Sequence, residues 1–351
     1  MLKMIEKYLT RIILTLLVSL MITFGLSNIF VAPAHAGKTY KLTMQNMFSL
    51  NHPITIAINR MVADLKKQSN GRIAIRVLPS GALVKGPSIF ESVSMGSIDM
   101  GTTCSCYHGG ILPVAATAFA LPGDPRGVRE IIDFIGQKEV MAFFRNAYAT
   151  QNVFFGAPLV MDGYTIVSKK PINSWDDLKK MKVRASGSIA KTLKKMGIPT
   201  VFIPFSEIYV ALSRGTIDAE ISGNHAESFL AKTYEVARYQ TVPYISGAQN
   251  CEVILNNERW NELPEDLRVM FESALKECSQ HVATLFDAEN KQVMDKMEAQ
   301  GVKFIRLPDE VMAKWIQTAV KMWDEELTKD KMSAQYIGFV KNHLKELGHN
   351  L

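Results

Sequence analysis

Residues 179–197 read KKMKVRASGSIAKTLKKMG, and this stretch decides how the rest of the chain is read. Met181 and Val183 alternate with lysines, as in a short strand. The strand runs into Arg184 and the small residues of ASGS. Ile189, Leu193 and Met196 then recur at helical spacing. A strand leading directly into a helix N-terminus is half of a βαβ unit. In an open α/β sheet, ligands sit beyond the carboxyl ends of the strands. Arg184 lies at such an end, beside the free amides that open a helix. A guanidinium fork in that place suits an anion, because it grips a carboxylate through two parallel hydrogen bonds. The pattern alone equally allows a solvated arginine at a strand end.

Working outward, TVFIPFSEIYVALSRGTIDAEISG (200–223) repeats strand, turn, helix and strand, so one α/β lobe begins near residue 162. The chain before it follows the same grammar. TYKLTMQNM (39–47) is a strand, 54–67 a helix, and RIAIRVLPSG (72–81) a second strand with Ile73, Ile75 and Val77 on one face. Residues 81–101 turn into a short helix and a third strand. SMGSIDMG (94–101) and LSRGTIDAE (212–220) echo each other, as two lobes of similar topology would. One helix is expected over 128–149. A pair of strands broken near Asp162–Gly163 follows, and then a capping-box start at Ser174 and Asp177. Strands are expected over 239–244 and 249–256, a late strand over 302–308, and two closing helices. Residues 264–300 read as one helix about 55 Å long at 1.5 Å per residue. No flexible linker separates the lobes, so strands and this helix must join them.

The length of 351 residues exceeds what one hydrophobic core usually serves, and 47% hydrophobic residues mark a globular chain. Residues 1–36 read as a cleaved export signal: Lys3, Lys7 and Arg11, an apolar run, and AHA ending at Ala36. The first cysteine is Cys104, so no lipid-anchor cysteine follows the apolar run. The alternative is an uncleaved membrane anchor. No later stretch is apolar enough to span a bilayer. The net charge of +6 is mild and scattered and gives no case for nucleic acid.

Export permits disulfides, yet Cys104 and Cys106 are too close in sequence for an easy bridge. Cys104, Cys106, Cys251 and Cys278 are expected as small buried hydrophobes. His108 and His225 are expected as satisfied, non-ligating histidines. No serine-hydrolase, zincin, phosphate-loop or dinucleotide motif occurs. A Cys–His pair within CSCYH lacks a third orienting group. An enzyme is therefore the weaker class, and a binding protein the stronger one.

The segment INSWDDLKKMKVRASGSIAKTLKKMGIPTVFIPFSEIYVALSRGTIDAEISG (172–223) resembles the signature region of the DctP-type periplasmic solute-binding proteins. These serve tripartite ATP-independent periplasmic (TRAP) transporters. NHP (51–53), SNGRIAIRVLPSGAL and NNERWNELPEDLRVMFESALKE extend the resemblance in the same order over nearly the whole chain after residue 38.

The resemblance implies an α/β fold of two lobes with a ligand cleft between them and a long helix spanning both. Lobe I would be 37–161 with about 250–289, and lobe II 162–249 with about 290–351. It implies that Arg184 pairs with the carboxylate of an organic acid. Phe205 matches an aromatic that packs on the ligand, and Ser222 falls where relatives place an asparagine. Tyr164 stands where many relatives carry a second pocket arginine, and Cys104 stands near a glutamate of some acid binders. Tyr107 and Phe48 complete the candidate set. A metal-using 2-oxo-acid branch has a glutamate and a tryptophan where this chain has Ile221 and Ser222, so neither metal nor cofactor is expected. The implied ligand is a monocarboxylate. The implied partners are the membrane subunits of a TRAP transporter, and the implied compartment is the periplasm, without membrane insertion after cleavage. A receptor for an ATP-driven importer is the rival; the continuous long helix and PFSEIY favour the TRAP type.

Overall fold

The computed structural model describes residues 38–349; the expected export signal lies outside them. Two mixed sheets organise the described chain. The strands of the first half are β1 (Tyr40–Gln45), β2 (Ile73–Leu78), β3 (Met100–Cys104) and β4 (Val153–Met161). The helices between them are α1 (Pro53–Gln68), α2 (Ile89–Ser94), α3 (Pro113–Phe119), α4 (Val128–Gly136) and α5 (Lys138–Ala149). The second half holds β5 (Val167–Ser168), α6 (Trp175–Leu178), β6 (Val183–Arg184), α7 (Gly187–Lys195), β7 (Thr200–Val201), α8 (Ile208–Ser213), β8 (Ala219–Glu220), α9 (His225–Leu230) and β9 (Tyr239–Val242). The chain closes with β10 (Gln249–Asn256), α10 (Asn257–Asn261), α11 (Glu265–Ala299), β11 (Lys303–Arg306), α12 (Asp309–Glu325) and α13 (Lys331–Glu346).

The first sheet has the order β2-β1-β3-β10-β4 and the second β11-β9-β5-β8-β6-β7. β1 runs parallel to β2 and β3, while β10 lies antiparallel between β3 and β4. In the second sheet β6 is parallel to both β7 and β8. The expected strand pair broken near Asp162 is therefore no hairpin: β4 and β5 belong to different sheets, and the break is a crossing between lobes. The chain crosses back between β9 and β10. β9 stops at Val242, earlier than the alternation suggests, because Pro243 has no amide for the ladder.

The long helix is present as α11, 35 residues or about 52 Å. It packs against α1 and β4 on one side and α9 on the other, so it spans both sheets. The helix expected over 128–149 is two helices, because Gln137 is extended (φ −60°, ψ 137°) and breaks the run. The C-terminal helix α13 differs in its placement. Its buried Tyr336, Ile337, Val340 and Leu344 share one core with Phe134, Phe144 and Phe155, not with the second sheet where 290–351 was expected. Its apolar stripe fits the aromatic face that α4 and α5 leave open. Among the described residues, no helix is long and apolar enough to cross a membrane.

Candidate functional site

Phe48, Cys104, Tyr107, Tyr164, Arg184, Phe205 and Ser222 are far apart in sequence, yet all line one cavity between the two sheets. Met47, Cys106, Phe119, Ser186, Glu227 and Gln249 complete the lining, and the enclosed space is small, about 20 Å³. Larger surface hollows exist, among them a groove of about 720 Å³ beside α4, α5 and α11, but they lie away from the crossing point of the sheets.

Arg184 ends β6, where Val183 and Arg184 pair with Ala219 and Glu220 of β8 and with Thr200 and Val201 of β7. Flanked by β8 and β7, it is buried; only 2% of its surface is exposed. Its Nε donates to the Ile203 carbonyl at 2.9 Å and its Nη1 to the Ile221 carbonyl at 3.4 Å. Its guanidinium carbon lies 5.8 Å from the centre of the Phe202 ring. Carbonyls orient the fork but do not neutralise it. Among the described residues no carboxylate lies within ion-pair distance of Arg184. A buried and unpaired cation is costly, and an anion in the cavity relieves it.

Of the four residues of ASGS after the strand end at Arg184, Ser186 lines the cavity. Gly187 and Ser188 turn toward the other lobe: a Cβ on Gly187 would lie 3.6 Å from the Cys106 Cβ, and Ser188 Oγ donates to the Ala120 carbonyl. Gly187 has φ +56°, which favours glycine there. Of this helix start, only Ser186 lines the cavity, while Gly187 and Ser188 make inter-lobe contact.

Tyr107 reaches across the cleft, where its hydroxyl accepts a hydrogen bond from the Phe205 amide at 3.2 Å. Tyr164 sits on the crossing segment, its amide bonded to Ser246 Oγ at 3.0 Å and its ring fully buried. Burial pushes the Tyr107 phenol up to about 12 and Tyr164 well above its ordinary value, so both enter the cavity as neutral groups. Phe48 stacks on His52, 4.2 Å between centroids.

The expectation of four small free cysteines fails at two of them. Cys104 and Cys251 face each other across β3 and β10 and form a disulfide. The pairing spans 147 residues, so nothing in local spacing announces it. Cys106 and Cys278 are free. Burial pushes the Cys106 thiol up to about 12, against the opposing pull of Arg184 and a hydrogen bond with Ser186. His108 and His225 do not reach the cavity. His108 stacks on Phe90 and lies 3.0 Å from Glu252, and His225 bonds Gln240 at 2.7 Å.

Two carboxylates went unread in the sequence. Glu220, opposite Arg184 in the β6–β8 register, accepts from Ser222 Oγ and from Thr233 Oγ1 at 3.4 Å. Glu227 lines the cavity itself; its Oε2 accepts from the Asn224 amide at 3.1 Å and from Gln249 Nε2. Burial raises both, Glu227 to about 8, although their hydrogen bonds and Arg184 pull the other way. The available signal was N-x-x-E at 224–227, a capping box placed just beyond the end of β8.

The chain matches known proteins over most of its length. The model of bacterial extracellular solute-binding protein family 7, the DctP family, matches residues 44–330. The chain belongs to the DctP family. Similar relatives include a monocarboxylate 2-oxoacid-binding periplasmic protein of Nostoc, 27% identical over 75% of this chain and 73% of that one. Another is the C4-dicarboxylate-binding periplasmic protein of Rhodobacter capsulatus, 24% identical over 79% of this chain and 82% of that one. Among solved structures, a TRAP periplasmic solute-binding protein of Pseudoalteromonas atlantica, with sodium and pyruvate bound, superposes with a TM-score of 0.81 at 24% identity, covering 88% of this chain and 95% of that one. The DctP family is a family of solute-binding proteins, and the fold is the two-lobed α/β architecture of its structural neighbours.

Proposed function

We propose that this DctP-family chain is a periplasmic receptor that closes on a small organic acid with one carboxylate, holds it on Arg184, and delivers it unchanged to the membrane subunits of a TRAP-type transporter. The observation that carries the reading is Arg184: buried, oriented by two carbonyls, lining the inter-lobe cavity and lacking a carboxylate partner among the described residues. The relatives named for monocarboxylate 2-oxoacids and C4-dicarboxylates support an organic acid as the class. The choice of one carboxylate over two rests on Tyr164, which brings no charge where a second arginine would, and on Glu227, whose carboxyl gives a second carboxylate no positive charge to pair with in a water-poor cleft. Phe48, Phe119 and Phe205 offer the rest of the acid an apolar wall.

Calorimetric titration of the mature chain with matched mono- and dicarboxylates tests this. Monocarboxylates are expected to bind more tightly. Succinate or malate binding about tenfold more tightly than every monocarboxylate would overturn the reading. Export is checked separately: intact mass of the periplasmic protein should place the N-terminus at or near Gly37.

A further inference from the structure

The cavity lining carries one basic and one acidic side chain: Arg184 and Glu227. They do not pair with each other, for no ion pair within 4.0 Å joins them. Arg184 spends Nε and Nη1 on carbonyls, and both hydrogen bonds to Glu227 fall on Oε2. Each therefore retains capacity toward the same small space.

Glu227 has a structural role that could account for it, since it closes a capping box with Asn224. A capping-box carboxylate at a helix start ordinarily stays in water, where it keeps its charge at no cost. Glu227 is only 4% exposed and is held there by built features. Gln249, at the start of β10, donates to it from the other lobe's sheet. Gly223 makes room for it, because a Cβ at that position would come within 2.8 Å of the Glu227 Cβ. The carboxyl is thus directed into the cleft from both lobes.

Closing the cleft on a bare carboxylate would leave Glu227 either ionised beside a second anion or neutral. A ligand that carries its own cation removes the conflict. We propose that the solute is a zwitterionic 2-amino acid with an apolar side chain, its carboxylate on Arg184 and its ammonium on Glu227. This rests on the Arg184 reading above. An ammonium beside the carboxyl stabilises its charged form and offsets the burial that raises it. The other ionisable groups facing this space, Tyr107, Tyr164 and Cys106, are held neutral by burial, and Glu220, beside Arg184 in the β6–β8 register, has its own partners Ser222 and Thr233. An inorganic cation is the competing way to neutralise Glu227. It needs several oxygens, about six to eight for calcium, whereas an ammonium needs one carboxylate and neighbouring acceptors. Among the described residues no group of three or more histidine, cysteine, aspartate or glutamate side chains converges.

The test uses the whole mature chain and acids that share a carbon skeleton: alanine, lactate and propionate, then leucine, 2-hydroxy-4-methylpentanoate and 4-methylpentanoate. Each is titrated calorimetrically with and without a chelator, and with added sodium or calcium. In at least one set the amino acid should bind about tenfold more tightly than its hydroxy counterpart, with no cation required. In Glu227→Gln that preference should fall to within about threefold, while Arg184→Ala should lose all members of the set. A hydroxy or unsubstituted acid binding as tightly as the amino acid overturns the proposal and leaves the carboxylate reading standing. So does acid binding that depends on sodium or calcium, or an undiminished amino preference in Glu227→Gln. If all six fail on the wild type, both readings fall together. Should Glu227→Gln fail to fold, the wild-type ranking alone decides.

Discussion

Arg184 and Glu227 lie at opposite ends of one balance between burial and charge. Removing one partner of a buried charge pair costs about 3–5 kcal/mol, or roughly two to four decades of affinity. Arg184→Ala should lose that much for the cognate acid in calorimetry, yet melt close to the ligand-free wild type, because it deletes a cation that the protein itself leaves unpaired. Arg184→Lys keeps the charge without the planar fork and should fall nearer to alanine than to wild type. Arg214 is exposed at the end of α8, and its alanine variant should bind as wild type.

Glu227 gives a pH signature. Its carboxyl is raised from 4.5 to about 8 in the folded chain. Between those values the folded state holds a proton that the unfolded state has released, so stability is fully present below about 4.5 and declines as pH rises toward 8. His52, lowered from 6.5 to about 3, acts in the opposite sense below 6.5 and is neutral in both states above it. Melts of the ligand-free protein from pH 6.5 to 8 should therefore fall with rising pH. The fall should be shallower in Glu227→Gln; an equal slope in both would show that Glu227 is not the raised group.

At the level of elements, β3 and β10 are the framework under the cleft. They pair antiparallel with Cys104 opposite Cys251, and Cys104 also lines the cavity. The disulfide closes a loop of 147 residues, and a crosslink of that span stabilises by limiting the unfolded chain, typically about 2–4 kcal/mol. Cys104→Ser/Cys251→Ser, or reduction of the wild type, should lower the melting temperature by several degrees. Cys106→Ser should not, since Cys106 is unbridged. An equal loss in all three would mean that the thiols act by packing. Gln249, at the start of β10, belongs to the same framework: it bonds the Asp162 carbonyl at the first crossing and Glu227 beyond it. The strand that holds the disulfide thus also touches the first crossing and the far wall of the site.

For the whole molecule, the proposed receptor function requires the lobes to part and close. Contacts across the cleft include a polar pair and an aromatic strut. Lys85 meets Glu207 at 3.3 Å, with both ends exposed, and such a pair contributes little. Tyr107 is the better-placed strut, its hydroxyl on the Phe205 amide and its ring edge-on to Phe202 at 5.9 Å. Tyr107→Phe strands that amide in the closed state at a cost of about 1 kcal/mol, roughly fivefold in affinity. The loss should fall on the dissociation rate in stopped-flow traces, because the bond forms only once the lobes meet. A pure loss of association rate would place Tyr107 in recognition instead of closure.

Local pattern by itself determined a great deal. The alternation around Val183, the helical spacing after Ser186 and the unbroken run over 264–300 express short-range periodicities that burial enforces, and all three are present in β6, α7 and α11. Arg184 could be singled out because a strand end before a helix start is visible in a dozen residues. What only the tertiary structure decided involves partners remote in sequence. The pairing of Cys104 with Cys251 depends on β10 inserting between β3 and β4, after 147 residues of intervening chain. The C-terminal helix joins the first lobe because its apolar stripe meets aromatic side chains of α4 and α5, a choice that amphipathicity leaves open. Glu227 reads as a helix cap in one dimension; it becomes a wall of the cavity only when the fold carries Gln249 to it and withholds water, and burial, not sequence, sets what its carboxyl does.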